Sequence, residues 1–499
     1  MNIHRQITQL DRPKGSGQRG WLGLRRRNSS VTTASRPLLL AVLLVAQLMV
    51  ILDITAVNVA LPSIAADLGI SGGNVGWTIT SYSLIFGSLL LLGGRAADLL
   101  GRRRVFLSGL LVFTAASFVS AIADTAGTLF AARAVQGLGA AMMSPAALSI
   151  ISNAFQGRER TRALGAWGVV SGAGAAIGVL AGGVLTDLAD WRLIFYVNLP
   201  VAVVLAVAAL KVVPVDVRRP QWRGLDLHGA VLATFSLAAI VFALSQGGDV
   251  GWLSAQTLVV GGAGLAGLGV FALNELRTAM PLLRVNRLGD RSVGGGFLLM
   301  LLGSAVLFGL FLLVSLYLQN VIGSRPLATG LAFLPLALAV GLGSHAGAHL
   351  VNRFGLRVPL TGAFAVAATG LLLLGHVDGD GTYLRDVLPG MVIAGVGLGV
   401  ALVSMGVAVM TGAREEEAGM LSGLNTTGHE IGGTIGIALF ATLAVEGLPG
   451  PRSAAGIADA FLAAGGLAIV ASLIALIVLP PARQFLPKLR LSPQAMPIH

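Results

Sequence analysis

Asp53, Arg133 and Glu430 each stand inside an apolar run of about twenty residues or more, long enough to cross a bilayer's hydrocarbon core as a helix. A charge held there costs at least about 2.5–3.5 kcal/mol on insertion scales, so it must pair or line a cavity. An acid that alternates between a charged, paired state and a neutral, protonated state can carry a proton. Asp53 precedes Leu61 by eight residues and Arg133 follows Gly127 by six. These spacings place them about 12 and about 9 Å below the same face of the apolar layer. They can therefore pair, as a fixed ion pair or as one that protonation of Asp53 breaks. Glu430, after His429, falls about 18 Å into its run, near the midplane. It is a second candidate proton or cation site, or a bond to a neighbouring helix. Gly428, Gly432 and Gly436 share its helix and leave room for a neighbour or a ligand.

The elements that must hold these groups are membrane helices. Hydrophobic residues make up 55% of the 499-residue chain and charged residues 11%, against about 25% charged in an ordinary soluble domain. The mean hydropathy is +0.83, which excludes a soluble globular protein. Fourteen spans are predicted, at 37–61, 76–97, 104–123, 126–151, 162–187, 192–213, 228–246, 254–274, 293–318, 326–350, 357–376, 386–411, 418–445 and 456–480. Of the 34 lysines and arginines, 29 fall in the terminal segments and alternate gaps, four in the remaining gaps, and Arg133 within a span. Basic loops stay cytoplasmic, so both termini are expected inside and the number of spans is expected to be even. Asp67, Asp124, Asp187, Asp190, Asp249, Asp378 and Asp380 mark the outer loops. The net charge of +12 is spread over many loops, which reads as topology and not as a nucleic-acid surface.

Residues 1–36 read as a basic cytoplasmic tail that meets anionic lipid, without the cleavage site of a signal peptide. Residues 37–213 and 293–480 read as two six-helix bundles, 214–292 as linkers with two inserted spans, and 481–499 as a second cytoplasmic tail. A weak internal repeat supports the division. GGRAADLLGRRR begins at Gly93 and GAHLVNRFGLR at Gly347, with Asp98 or Asn352 five residues on and a glycine three further. Duplicated halves with a site between them are a common transporter plan. No cysteine is present, so disulfides and thiolate chemistry are excluded. No nucleotide-binding loop, catalytic triad or metal cluster is found, and His345, His349 and His376 read as loop-proximal or interhelical bonders. No cofactor is expected.

Gly94, Asp98, Gly101, Arg102 and Arg103 form the strongest local pattern, Gly94-x3-Asp98-x2-Gly101-Arg-Arg-Arg. Glycine permits the tight turn, and Asp98 can cap the next helix or pair with an arginine across the bundle interface. This loop resembles the signature loop of the major facilitator superfamily. LDITAVNVALPSI (Asp53 to Pro62), RAVQGLGAAMMSP (Arg133 to Pro145), WRLIFYVNLP (Trp191 to Pro200), LYLQNVIGSRPLATGLAFLP (Gln319 to Pro335) and GMLSGLNTTGHEIGGTIG (Gly419 to Gly436) are similar to segments of its fourteen-span drug:proton antiporter family. The antiporter motif of that family resembles the stretch Gly174, Gly178, Gly182, Gly183, except that Val179 stands where the pattern has proline and the kink is lost.

The resemblance implies an all-α integral membrane protein with two six-helix bundles and two extra helices. It implies efflux of small amphipathic drugs, antibiotics or metabolites across a bacterial cytoplasmic membrane, exchanged for protons by a monomer that is not an enzyme. Proton-driven uptake on the same fold is the alternative. A non-transporting sensor or scaffold is the alternative of another class.

Overall fold

The computed structural model describes residues 36–70, 72–216, 226–278, 281–412, 417–445 and 454–485. The basic tail up to residue 35, Arg218, Arg219, Pro220 and Arg223 of the first linker, Arg414, Arg452 and the tail after residue 485 lie outside the described residues.

In lipid every backbone N–H and C=O must be satisfied within the protein, and the described chain does this with helices alone. They are α1 (Arg36–Asp67), α2 (Trp77–Leu100), α3 (Arg102–Ala121), α4 (Ala126–Ala154), α5 (Gly157–Leu188) and α6 (Asn198–Val212). Then come α7 (Leu227–Val250), α8 (Ala255–Arg277), α9 (Arg291–Leu316), α10 (Leu334–Phe354), α11 (Arg357–Leu374), α12 (Leu388–Val409), α13 (Ala418–Val445) and α14 (Ala454–Val478). Short turns Leu193–Tyr196 and Pro326–Ala332 lead into α6 and α10. Among the described residues, twelve helices are long and apolar enough to cross a membrane on length and composition. Helix starts are capped where the chain turns: Thr125, Asp226, Ser254 and Asp290 each accept a backbone N–H of the first turn of α4, α7, α8 and α9.

Packing sorts the helices into two halves. In the first, α2 and α3 pack on α4, and α1 packs on α4, α5 and α6. In the second, α9 packs on α12, α13 and α14, while α12 joins α10 to α11. The halves meet where α2 lies on α13 and where α5 lies on the Pro326–Ala332 turn and α10. The two repeat loops share a backbone feature as well: Gly101 (φ 108°) and Gly355 (φ 74°) both take the left-handed conformation that lets one helix turn directly into the next.

All direct hydrogen bonds between the halves, among the described residues, lie at the end of the molecule that carries Asp67. Ser315 donates to the Asn58 carbonyl (3.0 Å), Gln319 to the Val59 carbonyl (2.8 Å), and Arg325 pairs with Asp187 (2.9 Å). The structure is therefore closed at that end.

The glycines of α5 work on two faces. A Cβ on Gly174 would lie 3.1 Å from Leu48, and one on Gly182 would lie 2.6 Å from the Ala56 Cα, so this stripe presses on α1. Gly183 faces the other way, where a Cβ would lie 2.6 Å from the Pro326 carbonyl. Val179 is buried and joins a cluster made mostly of second-half residues. Valine thus fills a contact between the halves at this position.

Close backbone approach of this kind makes a definite prediction. Gly182→Val should destabilise the protein by about 1–3 kcal/mol, because the added atoms force α1 away from α5. Gly269→Val on α8, where nothing lies within 4 Å, should change stability by less than about 0.5 kcal/mol. Thermal unfolding in detergent reads both, and equal losses would refute the packing account.

Candidate functional site

Arg133 of α4 has no exposed surface, and Asp53 of α1 is 1% exposed. Such a guanidinium has to satisfy its donors inside the protein. One donor, Nη1, points at the Asp53 Oδ2 and at the Gln136 Oε1 (2.8 Å), while Nε donates to the Thr78 carbonyl of α2 (3.2 Å). Asp53 uses its other oxygen as well, accepting from Gln136 Nε2 (2.8 Å) and from Asn198 Nδ2 of α6 (3.0 Å). Asn198 also donates to Ser117 of α3, whose hydroxyl donates to the Phe195 carbonyl. The guanidinium carbon lies 4.4 Å from the Tyr82 ring centroid and 5.6 Å from that of Phe195, a cation–π sandwich.

The structure thus brings Asp53 and Arg133 together, though not by the predicted depths. α1 does not stop near Leu61 but continues through Pro62 to Asp67, so Asp53 sits fourteen residues, about 21 Å, from its end. Proline tolerates this because its missing N–H removes only one helix bond, and the extra turn runs beyond the start of α4. Gln136 and Asn198 belong to the motif segments but carry no assigned role there. Their signal is a polar residue in an apolar run, with Gln136 one turn after Arg133.

Glu430 lies in the other half, 6% exposed, and faces α2: a Cβ on Gly87 would lie 2.9 Å from its own Cβ. His429 points away from it, with Nδ1 2.7 Å from the Ser304 hydroxyl of α9 and its ring edge-on to Phe308. The room left by the α13 glycines is taken by α9, since Cβ atoms on Gly432 and Gly436 would lie 2.7 and 2.5 Å from the Leu301 and Ala305 Cα atoms. No ligand space remains on that face. Among the described residues, buried polar atoms without a partner include the Glu430 Oε2, the Tyr82 hydroxyl, the Thr78 hydroxyl and the Arg133 Nη2. Orphaned groups are rare in folded cores and concentrate where function requires them.

The gate loop is built differently from its expectation. Asp98 neither caps α3 nor crosses to the other half; it pairs with Arg102 one turn along (3.2 Å), an exposed contact. The cap comes from Asp216, beyond α6, which accepts the N–H of Arg103 (3.3 Å) and of Arg104 (3.0 Å). Arg103 returns the contact, donating to the carbonyls of Leu210 (2.7 Å) and Val213 (3.0 Å) at the end of α6. The loop is a reciprocal clasp between the start of α3 and the end of α6. Gly101 is needed because a Cβ there would lie 2.5 Å from the Asp216 carboxylate. Gly94 packs more loosely, 3.7 Å from Pro145 by the same measure.

His349 bonds within α10, and His376, in the turn just past α11, bonds back to it, as a loop-proximal residue. His349 sits on the His345 carbonyl (3.1 Å) and His376 on that of Leu372 (2.8 Å), not between helices. Among the described residues no three His, Cys, Asp or Glu side chains are grouped to hold a metal.

Losing the cap should matter more than losing the exposed pair. Asp216→Ala is expected to destabilise by about 1 kcal/mol, and Asp98→Ala by less than about 0.5 kcal/mol. Chemical denaturation of the two variants checks the order, and a larger loss for Asp98→Ala would overturn the assignment of the clasp.

Comparison with known proteins agrees with this architecture. Residues 43–437 match the family profile of the Major Facilitator Superfamily. The puromycin resistance protein pur8 of Streptomyces alboniger is 43% identical over 411 residues, 81% of this chain and 81% of that protein. The cephamycin export protein CmcT of Amycolatopsis lactamdurans is 36% identical over 461 residues, 91% of this chain and 93% of that protein. In fold, the chain is similar to the crystal structure of the peptide transporter POT in complex with sulfate, with a TM-score of 0.65, 17% identity, and coverage of 90% of this chain and 95% of that one. A bacterial homolog of the human lysosomal transporter Spinster, in an inward-facing and unoccupied conformation, gives a TM-score of 0.62 at 17% identity, over 92% and 99% of the two chains. The chain is a multi-pass membrane transporter and belongs to the Major Facilitator Superfamily.

Proposed function

We propose that this transporter exports an amphipathic antibiotic, drug or secreted metabolite from a bacterial cytoplasm in exchange for inward-moving protons. Relatives named for puromycin resistance, cephamycin export and lincomycin resistance support efflux. The observation that carries the coupling is the pair of buried acids in opposite halves. Asp53 is held by three donors on α4 and α6, and Glu430 has a free oxygen against α2. In this reading, a proton enters from the outer side, adds to a carboxylate oxygen and displaces one of its donors. The network then relaxes, the halves rock, and the proton leaves to the cytoplasm as the donor returns. Small substrate and protons are the partners of a monomer surrounded by lipid.

We further propose fourteen crossings with both termini cytoplasmic, in two bundles, 37–213 and 293–480, joined by linkers and an inserted pair of helices. Basic loops then place the Asp67 end outside, so the closed end is the outer gate. Reporter fusions at Asp249 should give an outside signal, and fusions near Arg219 and Arg287 an inside one. An inside signal at Asp249 would reduce the count to twelve.

Proton coupling is tested with Asp53→Asn and Glu430→Gln in proteoliposomes, reading drug-induced proton release. Asp53→Asn should abolish coupled flux. It should also lower stability, because either rotamer of the new amide sets its NH2 group against a donor, that of Arg133 or those of Gln136 and Asn198. Glu430→Gln, whose free oxygen meets no donor, should leave stability nearly unchanged and impair coupling. Wild-type proton release from both variants would falsify the coupling assignment.

A further inference from the structure

The inserted pair is not peripheral. Its second member, α8, turns most of its surface outward, with only 6% of its apolar window buried. Its first member, α7, lies over the seam where α2 of one half meets α13 of the other, and touches both. Leu84 of α2, Leu237 and Val241 of α7, and Ile431 and Ala438 of α13 form one buried cluster. A Cβ on Gly87 of α2 would meet both Glu430 (2.9 Å) and Ile431 (3.2 Å), so this cluster begins beside the acid.

Polar contacts fix α7 at both sides of the seam. The Thr234 hydroxyl of α7, whose proton is shared with the Ala230 carbonyl of its own helix (2.8 Å), lies 3.1 Å from the Ser88 hydroxyl of α2, one residue past Gly87, which faces Glu430. Near the other end, the Thr442 hydroxyl of α13, 2.9 Å from the Ala438 carbonyl of its own helix, also lies 3.2 Å from the carbonyls of both Leu244 and Ser245 of α7. The chain leaving α8 is tied to the second half as well. Arg284 and Arg287 clasp the nearly buried Glu417 just before α13, at 3.1 and 2.9 Å.

We propose that α7 is a working brace of the transport cycle, a helix mounted on α13 by Thr442 and resting on α2 through Thr234, and that α7 parts from α2 each time the halves rock. The proposal rests on the alternating-access reading. The two mounts are unequal in a way that decides which one gives. Along α13 the contact runs from Ile431 to Thr442, about three turns of helix. Along α2 it runs from Trp77 to Ser88, a similar length, with a longer 3.4 Å contact from Gln246 to Asn74 ahead of the helix. The difference lies in polar fastening. Asn274 of α8 donates to Asp226 at the start of α7 (3.2 Å), Glu275 accepts the Leu283 N–H (2.8 Å), and Arg284 and Arg287 just beyond hold Glu417. Bound in this way to the second half at both ends, α7 separates first from α2. Thr234 and Ser88 are then positioning residues: their bond biases the cycle toward this closed-outside state without touching substrate.

The chain has no cysteine, so Ser88→Cys with Thr234→Cys introduces the only two thiols. Their hydroxyls lie 3.1 Å apart, so the two thiols face each other across the helices, within reach of a disulfide or a short bis-thiol linker. Amide hydrogen exchange of segments 58–67 and 315–325 reads opening of the outer gate without any substrate. In the purified full chain, oxidation should slow exchange there at least tenfold, and a reductant should restore it in the same sample, which controls for misfolding. Equal exchange in linked and reduced protein would show that α7 rides with α2 and would overturn the brace. Failure of the thiols to link even through a short bis-thiol reagent would overturn it too, by displacing α7 from the seam. Gate segments that stay protected in the reduced protein and in the wild type would instead remove the alternating-access reading, and the brace with it.

Discussion

A guanidinium inside a membrane protein has to find its acceptors within the fold, and Arg133, with only its Nη2 left without one, dictates much of this one. Its partners come from α1, α2 and its own α4, and the carboxylate it neutralises is held in turn by α6, with α3 one bond further on. Five of the six first-half helices are therefore placed by a single charge and its chain of acceptors, and α5 is added by glycine packing on α1. Breaking a buried pair by removing one member leaves the other uncompensated, typically at about 3–5 kcal/mol. The network is rigid for the same reason that it is responsive: one proton added to Asp53 changes the balance for all of its donors.

Glu430 has the opposite environment. It faces α2 at the seam, and its Oε2 has no hydrogen-bond partner among the described residues. A group without partners in a low-dielectric setting gains most from any change that admits water or a counter-charge. Rocking of the halves is such a change, since the seam it occupies is the surface along which they meet. The two acids thus report different things, one the integrity of a bundle and the other the separation between bundles.

The ends of the molecule repeat this logic on the surface. Asp216 and Arg103 fasten the start of α3 to the end of α6, while Glu417 holds two arginines ahead of α13. Both clasps involve chain segments that lead to or from the inserted helices. The extra pair is thereby tied into the loops of each half, and α7 is tied across the seam between them.

The sequence by itself determined the class of protein, because length, apolarity and alternating charge are properties of the chain that the bilayer reads directly. Asp53, Arg133 and Glu430 stood out for the same reason, as costly residues in apolar runs. Gly174, Gly178 and Gly182 announced close packing through their spacing. Only the tertiary structure decided partners. Gln136 and Asn198 look ordinary until α4 and α6 are set beside α1, and the depth of Asp53 could not be read while the end of α1 was uncertain. Asp216 rather than Asp98 caps α3 because the chain beyond α6 returns to the gate loop, a contact more than a hundred residues apart in sequence. The place of α7 over the seam is likewise a matter of which helices meet, and periodicity along one helix carries no record of its neighbours.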